Sequence, residues 1–112
     1  MAVESAIDRR VALSRVGGDS ELLREIAQLF LEDYPKCMED IRQAANRGDA
    51  KHLERSAHGL KGSVSNFGAA AAVEAARSLE SMGRAHQLAE VQQVIQTLDL
   101  ALAALRPELE SL

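Results

Sequence analysis

The chain has no tryptophan, one tyrosine, two phenylalanines, two prolines and a single cysteine in 112 residues. Each scarcity closes off a class of protein. Cys37 has no second thiol to pair with, so no internal disulfide forms and a reducing, cytoplasmic setting is expected. Aromatics at 3% provide no platform for stacking unpaired bases. A net charge of −4 lacks the basic patch that displaces counterions from phosphates, so no nucleic-acid partner is expected. No apolar run approaches the ~20 residues of a membrane-spanning helix. The opening MAVESAIDRR places charged residues where a secretory leader is apolar, so no membrane contact is expected either. Alternating β-branched runs and Asn-Gly or Asp-Gly turns are also missing, which excludes a sheet. No two histidines stand at i, i+4 and the cysteine lies on another segment, so no metal site is expected.

What remains is amphipathic helix punctuated by glycine. Asp8 can cap a short leading helix that stops at Gly17. Asp19 can cap a long second helix, 20–46, whose apolar stripe runs through Leu23, Ile26, Phe30, Tyr34, Cys37, Ile41 and Ala44. Pro35 removes a backbone donor inside it, and a kink rather than a break is expected because the stripe stays in phase. Gly48 and Asp49 close that helix and cap a third, 50–66, with Leu53, Ala57, Leu60 and Val64 inward. A fourth, 69–82, buries Ala69, Ala72, Ala76 and Leu79 and stops at Gly83. A fifth, 86–105, carries Leu88, Val91, Ile95, Leu98, Leu102 and Leu105 until Pro107 ends it. The expected fold is all-α: one domain, an up-down-up-down four-helix bundle with a short extra N-terminal helix.

The third helix holds an anomaly. Gly59 and Gly62 sit inside it, and each costs a helix roughly 1 kcal/mol relative to alanine. At ~100° per residue, with Leu53, Leu60 and Val64 at the core centre, His58 projects about 140° away and Gly62 about 180°. His58 therefore faces water, among Lys51, Arg55 and Lys61 with the carboxylate of Glu54, and Ser65 shares its stripe. An imidazole facing water keeps a neutral fraction with a nucleophilic lone pair that can attack phosphorus. Lys61, one turn along, can reach a phosphoryl group as a point charge, and Gly62 leaves room for a second protein's backbone.

The stretch AHGLKGSVSNFGA at 57–69 resembles the signature of histidine-containing phosphotransfer (HPt) domains of bacterial phosphorelays. The GGD before the second helix, the ELLREIAQLF run, the proline within that helix, the GD turn and the Leu79-Glu80 pair are similar to the family as well. The resemblance implies that His58 accepts and donates the phosphoryl group, that Lys61 stabilises it and that Gly62 provides clearance. It implies receiver domains of response regulators and hybrid histidine kinases as partners. It also implies a carrier, not an enzyme, with no cofactor of its own: ATP and Mg²⁺ belong to the partners. A monomer is expected. Ala72 and Ala76 depart from the family, which often has a large apolar residue and a cysteine there. Antiparallel pairing of the second and third helices brings Tyr34 and Met38 towards His58. With Leu31 they form an expected apolar rim for receiver docking, alongside Lys51, Glu54, Arg55 and Ser65. The alternative is a helical docking module that carries no phosphate.

Overall fold

The computed structural model describes residues 5–112, and every regular element among them is helical: α1 (Arg9–Arg15), α2 (Ser20–Arg47), α3 (Ala50–Ser65), α4 (Ala70–Ala85) and α5 (Val91–Glu110). The first three begin where an aspartate can satisfy orphaned backbone donors. Oδ1 of Asp8 accepts from Arg10 N and Val11 N at 3.0 and 3.2 Å. Oδ1 of Asp19 accepts from Glu21 N and Leu22 N at 3.1 and 3.0 Å, and Oδ1 of Asp49 from His52 N at 3.1 Å. Gly48, at φ 69°, turns the chain out of α2 in the left-handed conformation that an L side chain avoids.

Helix α3 packs on α2 and α4, and α5 packs on α4 and α2, so the four long helices ring one core, with α1 lying against α2. Leu53, Leu60, Leu79, Leu98, Leu102 and Leu105 are each at most 2% exposed. Burial of one such side chain contributes about 1.5–3 kcal/mol. Ala72 and Ala76 lie fully inside, and Val73 packs against the core from the flank.

Helix α2 is continuous through Pro35, with no break, as its in-phase stripe implies. Other boundaries differ from the sequence expectation. Helix α5 spans Val91–Glu110 in place of 86–105. His86 does not begin it: at φ 55° this histidine is the left-handed cap that closes α4. At the other end Pro107 sits within the helix. The carbonyl deprived of its donor belongs to Ala103, and both residues are exposed, so water can take the missing bond. Buried Leu109 then anchors a further turn.

Gly83 is likewise no helix stop, since α4 continues to Ala85. A Cβ at Gly83 would stand 2.6 Å from the carbonyl oxygen of Ala50 and 2.7 Å from the amide nitrogen of Glu54. The backbones of α3 and α4 are in contact there. Gly83→Ala should therefore lower stability in urea denaturation by about 1–3 kcal/mol through overpacking, against the ~1 kcal/mol that alanine adds to an unobstructed helix. A stabilised variant would show that the two helices part freely.

Candidate functional site

The apolar stripe of α3 turns His58 outward, where its side chain is 68% exposed. One edge of the ring is nevertheless anchored. Nδ1 lies 2.7 Å from Oε2 of Glu80, a side chain only 6% exposed on the facing turn of α4. Lys61 Nζ donates to the other oxygen, Oε1, at 2.6 Å. Arg84, one turn along α4, donates from Nη2 to Oε2 of Glu80 and from Nε to Oε2 of Glu54, each at 3.1 Å.

The hydrogen bond from Lys61 holds the Glu80 carboxyl below the usual carboxylate range; burial opposes this and the His58 bond assists it. An ionised carboxylate only accepts hydrogen bonds. The ring hydrogen of neutral His58 therefore sits on Nδ1, and the lone pair is on Nε2, the nitrogen turned away from Glu80.

The face of α3 beyond His58 is bare. A Cβ on Gly59 or on Gly62 would meet nothing within 4 Å, so neither glycine is required by packing inside the domain. On the helix circumference Gly62, Gly59 and Ser63 lead from His58 to a groove between α3 and α2, lined by Ile26, Leu29, Tyr34, Cys37, Leu60 and Ser63. Burial, aided by Asp40 and Asp33, pushes the Cys37 thiol up, which suits a packing role better than a nucleophile.

Of the residues singled out from sequence, Lys51, Glu54 and Arg55 line a shallow depression together with His58. Lys61 is drawn to Glu80, and Ser65 spends its hydroxyl on the carbonyl of Lys61 at 2.7 Å. The apolar rim requires correction. Met38 is 2% exposed and belongs to the core. Leu31 borders a depression with Leu109 and Glu110 of α5, whereas Tyr34, stacked on Phe30 beneath the guanidinium of Arg106, does line the groove between α2 and α3. The cause is that α2 is covered on two flanks, by α3 and by α5, so its buried arc is wider than a single stripe suggests. The exposed apolar side chains of α2 are Leu22 and Leu29.

Glu80 and Arg84 have no site role in the sequence expectation. One signal was available: Glu80 stands four residues after Ala76 and directly after Leu79, in phase with the inward face of its helix, where an unpaired carboxylate is costly.

Residues 25–108 match the sequence profile of the Hpt domain. The chain belongs to the Hpt domain family. Its fold is that of histidine-containing phosphotransfer protein B (HptB) from Pseudomonas aeruginosa, with a TM-score of 0.88 at 24% identity over 97% of this chain and 95% of that one. Among curated protein sequences none matches significantly. Membership of the Hpt family brings a phosphotransfer role in phosphorelays. No helix among the described residues is long and apolar enough to cross a membrane.

The lowered carboxyl of Glu80 has a thermodynamic signature. Its contribution to the stability of this Hpt domain is complete above the unfolded value near 4.5 and is lost as the pH falls through the depressed folded value. Glu80→Gln should remove that component, leaving a shallower acid limb in urea denaturation followed against pH. The glutamine amide can donate as well as accept, so ¹⁵N spectra of the variant should show a mixture of His58 tautomers where the parent shows hydrogen on Nδ1. An unchanged tautomer ratio would separate Glu80 from the ring.

Proposed function

We propose that this domain accepts a phosphoryl group on Nε2 of His58 from the aspartyl phosphate of one receiver domain and passes it to the aspartate of another. The observation that carries this reading is an exposed imidazole whose inner nitrogen is bonded to a buried, ionised carboxylate while its outer nitrogen is free. The Nε2 lone pair attacks phosphorus, the Nε2–P bond forms and the P–O bond to aspartate breaks, its electron pair leaving with the carboxylate. The Nδ1 hydrogen stays in place, and Glu80 balances the cationic ring. Attack by a second aspartate runs the same step in reverse. Lys61 supports the transfer by offsetting the charge of Glu80, which would otherwise repel the incoming phosphoryl group.

The remaining machinery belongs to the partner. Phosphoryl transfer needs chiefly positioning and charge neutralisation, and the receiver's own acidic residues can hold the Mg²⁺. The domain is a carrier without kinase activity, working in the cytoplasm with receivers of response regulators and of hybrid histidine kinases. The receiver approaches over Gly62 and Gly59, flanked by Lys51 and Arg55, and meets Leu29 at the groove edge.

Incubation with a phosphorylated receiver and Mg²⁺ should place acid-labile, base-stable label on the domain, and His58→Gln should abolish it. Label that persists in His58→Gln would move the phosphoryl group to another residue, and binding of receivers without any transfer would leave a docking module in place of a carrier. Lys61→Ala should slow transfer about tenfold or more, equivalent to ~1.4 kcal/mol of barrier, without unfolding the domain.

Gly62→Leu should move stability and transfer in opposite directions. Helix propensity raises stability by up to about 1 kcal/mol at this open position, while the new side chain blocks the receiver. Normal transfer by Gly62→Leu would remove the clearance role.

A further inference from the structure

The two cations bonded to Glu80 are not equivalent. Lys61 is 26% exposed and holds Oε1, the carboxylate oxygen that His58 and Arg84 do not use. Arg84 is 63% exposed and lines the depression beside the His58 ring together with Lys51, Glu54, Arg55 and Glu80; Lys61 does not. Side chains on a helix lean towards its N-terminus. His58 therefore leans back over the turn that carries Glu54 and Arg55, and a phosphoryl group on Nε2 would stand at that depression.

We infer that Arg84 is a phosphoryl-positioning residue held in reserve by Glu54: when His58 carries phosphate, Arg84 leaves Glu54 and closes on the phosphoryl oxygens. This rests on the reading of His58 as the phosphoryl carrier. Arg84 uses Nε on Glu54 and Nη2 on Glu80, which leaves other guanidinium hydrogens free. Its bond to Glu54 joins two partly exposed side chains, a class of ion pair that is weak and readily exchanged. A phosphoryl group offers nearly two negative charges and three oxygens matched to a two-pronged guanidinium, so it competes well against one carboxylate. In the unphosphorylated domain the same bond keeps Glu54 neutralised and Arg84 within one side-chain rotation of the ring. Lys51 and Arg55 add positive potential to the depression without a carboxylate partner among the bonds described.

Phosphoramidate tests this without a receiver. Nε2 of His58 attacks its phosphorus, the P–N bond breaks and ammonia leaves. Labelling should shift the ¹⁵N–¹H resonance of Arg84 Nε. In a ³¹P titration of the labelled domain, a cation on the phosphoryl group lowers its protonation midpoint. Arg84→Gln should raise that midpoint by about 0.5–1 pH unit. Arg84→Lys should recover only part of the shift, and Glu54→Gln should lower the midpoint below that of the parent. If Glu54 acts through Arg84, its effect should shrink in the double variant.

A midpoint that ignores Arg84 but rises in Lys61→Gln would assign the phosphoryl group to Lys61 and overturn the inference. So would a Glu54→Gln midpoint equal to the parent's. Failure to label His58 with phosphoramidate or with a phosphorylated receiver would sink the carrier reading, and this inference with it.

Discussion

A buried carboxylate has to be paired, and the bundle is organised around one that is. Glu80 is the one charged side chain buried among the described residues. Three donors converge on it, from Lys61 and His58 on α3 and from Arg84 on its own helix. Removing one partner from a buried ion pair typically costs about 3–5 kcal/mol, because the remaining charge is left in a poor solvent. The same carboxylate that must be satisfied for the domain to fold sets which nitrogen of His58 faces the receiver. Stability and chemistry are therefore coupled through one residue. An imidazole can be exposed enough to meet a partner and still be oriented, because only one of its edges is tied down.

That convergence depends on how closely α3 and α4 approach. Gly83 lies one turn beyond Glu80, and at that level the missing Cβ lets the backbone of α4 rest on the carbonyl of Ala50 and the amide of Glu54. Ala72 and Ala76, both buried, keep the side chains small further back along α4. Small residues on one helix thus hold the Glu80 oxygens within hydrogen-bond reach of side chains on the next.

The bundle is legible in the sequence wherever a signal is local. Asp8, Asp19 and Asp49 mark helix starts because each bonds amides two or three residues away, and Gly48 marks a stop through its own backbone angle. The stripe of α3 is legible because Leu53, Ala57, Leu60 and Val64 form a single narrow arc. The exposure of His58 follows from that arc. What escapes is set by neighbours. Met38 is buried because α5 covers a second flank of α2, Pro107 is tolerated because the face that loses a hydrogen bond is wet, and Gly83 is a contact with another helix. Glu80 and Arg84 meet their partners on α3 across a gap of 19–30 residues, which no helical period reveals.

The bare strip of α3 has a last consequence. Short helices are marginal in water even with favourable sequences, and α3 has 16 residues with two glycines in open positions. It is helical because α2 and α4 hold it from both sides. A peptide spanning 50–65 would not keep its shape, and it would lack the glutamate that orients the ring. The histidine cannot be transplanted as a linear epitope: a graft onto another scaffold would have to bring two helices, their near-touching backbones and the anion between them.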